Sequence, residues 1–208
     1  IPFLYSSISP NQITILSIIQ LIIGFIICCF AKSKQVLLVG WFFFFLWSLL
    51  DGVDGNVARY KKQFSKLGDL YDTMGGYAAI SLIYLASGIA STHTNGFFDF
   101  INTLDKNIYI IMGALASIFD LFPRLMMHKT ISSFMNKELG DVVADKSHYN
   151  IIKIIILNIS SISGGTMFFL CIAIIANILD LYTIAYFFLN MLKMIFSLYL
   201  LFKNVNER

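Results

Sequence analysis

Apolar runs of membrane-crossing length, each closed by a short polar or basic stretch, recur from one end of the sequence to the other. Roughly 20 consecutive apolar residues carry a helix across a hydrocarbon core of about 30 Å. Six segments reach that length, at approximately 11–31, 36–58, 67–91, 107–127, 150–177 and 181–202. The pattern predicts an all-α polytopic membrane protein, a six-transmembrane-helix bundle in which residues 1–208 form one domain. Ser9, Pro10 and Asn11 stand just ahead of the first run, where proline and small polar caps begin helices, so helix one is expected to start there.

Composition agrees with this reading. The chain is 58% hydrophobic and 13% charged, with a mean hydropathy of +0.77, too apolar for a soluble domain to cover with polar surface. Residues 1–10 carry no charge and lack the basic start of a secretory signal, so no cleaved leader is expected; opening on Ile1 instead of Met points to trimming. Cys28, Cys29 and Cys171 lie in apolar runs without metal-ligand spacing and read as lipid-facing or packed small hydrophobes.

Charge sets the expected orientation. Six spans place both termini on one side, which gathers Arg59, Lys61, Lys62, Lys66, Lys129, Lys137, Lys146, Lys203 and Arg208. The other side holds Lys32, Lys34 and Lys106, and this asymmetry predicts cytoplasmic termini. The expected setting is a prokaryotic cytoplasmic membrane. The basic connection RYKKQFSK between spans two and three is then a cytoplasmic loop, either a topological signal or a surface for headgroups or a phosphorylated substrate.

Asp51, Asp54 and Asp72 fall within or at the ends of spans two and three, where an ionised carboxylate needs a partner. Asp51 and Asp54 share a helical face at i and i+3, and Asp72 on the next antiparallel helix can meet them across the hairpin. Three converging carboxylates make a hard oxygen site for magnesium, manganese or calcium, with no thiolate or imidazole cluster nearby to favour zinc. Gly52, Gly55 and Gly68 leave open backbone beside them, and Arg59 offers a planar cationic fork for phosphate.

These residues resemble the CDP-alcohol phosphotransferases, the CDP-alcohol phosphatidyltransferase family. The matching positions are Asp51, Asp54-Gly55, Ala58-Arg59, then Gly68 after eight residues and Asp72 after three more. The six spans and the Pro10-Asn11 start with Thr14 behind it extend the likeness over the whole chain. The resemblance implies that an acceptor hydroxyl attacks the phosphorus bearing the donor alcohol of a CDP-alcohol, CDP-diacylglycerol as first guess, and that CMP leaves. It implies Mg2+ or Mn2+, two cations in the family, on Asp51, Asp54 and Asp72. It also implies a nucleotide site formed by Asp51, Gly55, Ala58, Arg59 and Gly68, with Asn11 and Thr14 beside it. Partners would be the donor, an alcohol or phospho-alcohol acceptor and membrane lipids, with no nucleic acid and a homodimer left open.

One position departs from the pattern. Gly76 stands where the family carries a fourth aspartate, a metal ligand and general base. Gly75-Gly76 is expected to pack spans closely. Asp72 and Asp69 are then the candidate catalytic carboxylates, because 69, 72 and 76 share a face, although 69 lies about 10 Å along the axis from 76. The alternatives are a CDP-alcohol-binding homologue without catalysis, or a divalent-cation transporter that uses the same aspartates.

Later spans hold a second polar set. Asp120 and Arg124 at i and i+4 read as an intrahelical salt bridge, with Lys153 snorkelling to the interface. In the functional reading, Arg124, Lys153 and Lys193 bind an anionic acceptor, as in family members that use phosphorylated alcohols, and Pro123 kinks span four beside them. Asn158, Ser160, Ser161, Ser163 and Gly164-Gly165 read as packing material. His93, His128 and His148 are expected in solvated loops, and Glu138, Asp141 and Asp145 on an ordinary wet face.

Overall fold

A computed structural model describes residues 7–63, 65–100, 105–134 and 158–206. Within them the chain forms α1 (Pro10–Phe30), α2 (Lys34–Lys61), α3 (Lys66–His93), α4 (Ile108–Phe134), α5 (Met167–Ala176) and α6 (Leu179–Asn206), and no strand is present among the described residues. α1, α2, α3, α4 and α6 are long and apolar enough to cross a membrane, which makes this an integral membrane protein of helical class. The part of span five that precedes 158, including Lys153, lies outside the described residues.

Local sequence sets the boundaries. Ser9 caps α1: its hydroxyl accepts from Gln12 N–H while the Gln12 side chain accepts from Ser9 N–H, a reciprocal capping box with Pro10 in the first turn. Ser33 and Ser65 cap α2 and α3 through the hydroxyl alone, accepting from Val36 and Gly68 N–H. α2 stops at Lys62, which turns left-handed with φ 54°. Large apolar side chains such as Phe30, Phe168, Leu192 and Tyr199 remain exposed, as expected of a surface that meets lipid.

α1 packs on α2 and α3, α3 on α4, and α4 on α6, while α5 lies against α2. Small residues set these approaches. A side-chain carbon on Gly88 would strike the Tyr109 carbonyl of α4, and one on Gly113 the Tyr84 carbonyl of α3. A carbon on Gly40 would meet the Cys28 sulfur, so that cysteine is a packed hydrophobe of the α1–α2 seam. The expectation of close packing at Gly75-Gly76 is corrected here. A carbon on Gly75 would make ordinary contact with Ile18 at 3.5 Å, and one on Gly76 would meet nothing within 4 Å. Two histidines are corrected as well: His93 ends α3, and His128 sits within α4 with its ring edge-on to Tyr77. His148 lies outside the described residues, as do Glu138, Asp141 and Asp145.

The chain ahead of α5 is not a continuous α-helix. Residues Ile162–Thr166 form a π turn with Gly164 at φ −110° and ψ −108°. Backbone groups freed by such a break have no water to turn to in a bilayer. The Tyr186 hydroxyl donates to Ile159 O at 3.0 Å, Tyr182 to Thr166 O at 3.2 Å, and Trp41 Nε1 to Met167 O at 2.9 Å. The small polar residues read as packing material thus form a bend that aromatic donors of α2 and α6 hold in place.

At the end of this bundle away from the α2–α3 hairpin, buried Asp180 at the start of α6 accepts from Phe97, Phe98 and Leu181 N–H at 2.7–2.8 Å and ties the α3–α4 connection to α6. Among these features the Gly88–Gly113 crossing is the tightest constraint, because backbone lies on both sides. Gly88→Leu is expected to lose about 1–3 kcal/mol or more by forcing α3 and α4 apart, read as a fall in the thermal unfolding midpoint in detergent.

Candidate functional site

Three helix ends meet at the hairpin face: the start of α1, the end of α2 and the start of α3. Between them opens a cavity of about 770 Å3. Asp51, Asp54, Gly55, Ala58 and Arg59 of α2 line it, with Gly68, Asp69 and Asp72 of α3 and Asn11 and Thr14 of α1. Every residue expected from the sequence to take metal, nucleotide or a catalytic role at Asp51–Asp72 therefore shares one wall system. Gln63, Ser65 and Lys66, from the basic connection between spans two and three, line it as well. Ser65 carried a legible signal, a serine three residues before Gly68 at a helix start.

Asp54 is the buried carboxylate of the set, 5% exposed. It turns inward at the α1–α2 seam, where the Thr14 hydroxyl donates to its Oδ2 at 2.5 Å; that hydroxyl also lies 3.2 Å from Pro10 O. A hydroxyl donor to a buried carboxylate offsets lost hydration and fixes the side chain. Asp51 is partly exposed, and Asp72 is exposed at the mouth. The charges of Asp54 and Asp72 both act on Asp51.

The open backbone foreseen at the glycines has distinct uses. A carbon on Gly68 would lie 2.9 Å from Asn11 Oδ1 and 3.1 Å from Ser65 Oγ, and Asn11 Nδ2 donates to Ser65 Oγ at 3.4 Å. Gly68 thus lets the start of α1 approach the cap of α3. Gly52 faces open space, and a carbon on Gly55 would stand 3.8 Å from the Arg59 guanidinium. Arg59 is exposed at the rim, and its guanidinium donates to Asn56 Oδ1 at 2.9 Å. Lys61 Nζ donates to Ile8 O at 2.9 Å and ties the segment before α1 to the end of α2.

Among the described residues, no three His, Cys, Asp or Glu side chains are drawn together closely enough to enclose a metal ion. Asp51, Asp54 and Asp72 share the cavity as an open set. Their chemistry still fits a hard divalent cation, since carboxylate and hydroxyl oxygens line the wall without thiol or imidazole.

The other predicted cluster lies apart from this cavity. Asp120 of α4 accepts from Arg124 NH2 at 3.3 Å, and the Lys193 ammonium of α6 reaches the same oxygen. The expected intrahelical bridge is present and is joined by a cation from another helix. Lys153 lies outside the described residues.

Loss of the Thr14 hydroxyl removes a hydrogen bond to a buried charge. Thr14→Val is expected to cost about 1.5–3 kcal/mol, and Thr14→Ser to retain most of it, both read from thermal unfolding in detergent.

The sequence profile described as CDP-alcohol phosphatidyltransferase matches residues 7–198. No protein of curated function matches the chain.

Proposed function

The chain belongs to the CDP-alcohol phosphatidyltransferase family, and we propose that it transfers a phosphatidyl group from CDP-diacylglycerol to an alcohol acceptor with release of CMP. The family's members transfer phosphatidyl or phosphoryl groups from CDP-alcohols in lipid synthesis. One observation carries the finer reading: the seven motif residues from two helices, with Asn11 and Thr14 of a third, line a single cavity.

In this reading the cavity opens to the cytoplasm, because Arg59 and Lys66 of the basic hairpin line it. Gly55, Ala58 and Gly68 present smooth wall to the cytidine, and Arg59 places its remaining N–H donors at the rim for the diphosphate. Asp51, Asp54 and Asp72 would hold Mg2+ or Mn2+, and the Thr14 hydroxyl fixes the Asp54 carboxylate in the cavity wall. When bound, a divalent cation screens the diphosphate and stabilises charge on departing CMP. The acceptor oxygen forms a bond to the phosphorus bearing the lipid alcohol, and the bond from that phosphorus to CMP breaks. The hydroxyl proton passes to a carboxylate, for which exposed Asp72 and Asp69 are the candidates. Arg124, Lys153 and Lys193 bind the anionic part of a phospho-alcohol acceptor.

A second reading rests on Gly76, which supplies no carboxylate where family members carry one. It treats the chain as a CDP-alcohol-binding homologue without turnover. A side-chain carbon at Gly76 would meet nothing within 4 Å, which makes Gly76→Asp the natural variant to test.

The test is CMP release from CDP-alcohols across an acceptor panel with and without Mg2+ or Mn2+. Wild-type protein is expected to release CMP only with the cation, and Asp51→Asn to lower the rate at least about 100-fold. Full activity in Asp51→Asn would overturn the metal assignment. Cation-dependent release by Gly76→Asp but not by wild type would establish the second reading.

A further inference from the structure

Asp120 is 1% exposed on α4, and both cations that reach it use the same oxygen, Oδ1. Arg124 approaches through Nε at 3.4 Å and NH2 at 3.3 Å, and the Lys193 ammonium joins from α6. Oδ2 of Asp120 is buried with no partner. The carboxylate therefore gathers two cations at one point instead of spreading over separate donors.

Helix register is fixed beside it. One turn before each charged partner, fully buried Asn190 of α6 donates through Nδ2 to Ala116 O of α4 at 3.2 Å. The two cations are less enclosed than their shared carboxylate, with side-chain exposures of 43% for Arg124 and 20% for Lys193. Lys193 sits one turn beyond Asn190 and Arg124 one turn beyond Asp120, on the side towards the ends of α4 and α6 that lie at the face of the carboxylate-lined cavity. A buried anion thus has two outward cations mounted on it, and the set keeps a net charge of +1.

We propose that Asp120 is a positioning residue for the acceptor, holding Arg124 and Lys193 side by side as one receptor for an anionic phosphate group. This rests on the reading that those two cations face the acceptor. The competing role is a plain tie between α4 and α6. The two differ in sign. Removing the Asp120 charge raises the local net charge, which strengthens diffuse attraction for anions. Yet it also frees an arginine and a lysine whose side chains carry large rotamer entropy, and it strips Lys193 of its counter-ion within the bilayer. Positioning requires the second effect to dominate.

Inorganic phosphate is the probe, titrated against the detergent-solubilised full chain at matched ionic strength and read as a phosphate-dependent shift in unfolding temperature. Wild type is expected to bind, and Arg124→Gln to bind weakly. Asp120→Asn is expected to lose affinity about tenfold, the loss typical when the shell that orients binding groups is removed, and Asp120→Glu to recover part of it. If Arg124→Gln weakens phosphate while Asp120→Asn binds as well as wild type or better, the positioning role is overturned and the acceptor reading stands. If wild type shows no phosphate binding, the acceptor reading itself falls, and this inference with it. Should Asp120→Asn not fold, Arg124→Gln, Lys193→Gln and their double variant decide: either single change is expected to remove most of the affinity, whereas additive losses would overturn a shared receptor.

Discussion

Within hydrocarbon, a charge or a free backbone group has no water to fall back on, and the placement of polar residues in this protein follows from that constraint. Asp54 is buried because Thr14 donates to it across the α1–α2 seam. Asp120 is buried because two cations reach its oxygen, and Asp180 because three backbone N–H groups do. Each solution recruits a second helix or a connecting segment. The polar residues therefore fix which helices are neighbours, while the apolar residues fill whatever those pairings leave.

The same constraint explains why the carboxylate-lined cavity sits at the hairpin face. Helices end there, so their first and last turns expose polar backbone that serine caps at Ser9 and Ser65 and the left-handed Lys62 satisfy. Three such ends in one place make a polar mouth at the membrane boundary, and under the proposed function a lipid-bearing donor would keep its acyl chains in the bilayer and its charged headgroup among carboxylates and arginine. A site deeper in the bundle would have to bury the diphosphate. A site farther out would have to pull the lipid from its leaflet.

Most of the fold was legible because run length, serine caps and small residues act locally. The spans at 11–31, 36–58, 67–91 and 181–202 agree with their helices to within a few residues. The cavity was legible through spacing, since i and i+3 on α2 and one hairpin suffice to bring Asp51, Asp54 and Asp72 to the same wall. Spacing does not carry side-chain reach, so the open arrangement of those carboxylates was not readable from it. Nor was the capture of Asp120 by Lys193, 73 residues away. Gly76 was misread because a glycine pair looks the same whether a neighbouring helix presses on it or nothing does. The bend at 160–166 escaped for a related reason: a run of small polar residues signals tolerance of close packing and equally of irregular backbone, and only the tyrosines of α6 decide between them.

Those tyrosines have a consequence for how the protein is made. Tyr182 and Tyr186 supply donors to the Thr166 and Ile159 carbonyls, yet they belong to α6, which follows the bent segment during synthesis. Until that last helix arrives, the bend lacks both tyrosine donors and is held by Trp41 of α2 alone among the three aromatic residues. The final seating of the bend is thereby coupled to completion of the chain. A truncated product that ends before α6 would keep the Trp41 contact and lose both tyrosine donors, which leaves the bend gripped from one side only.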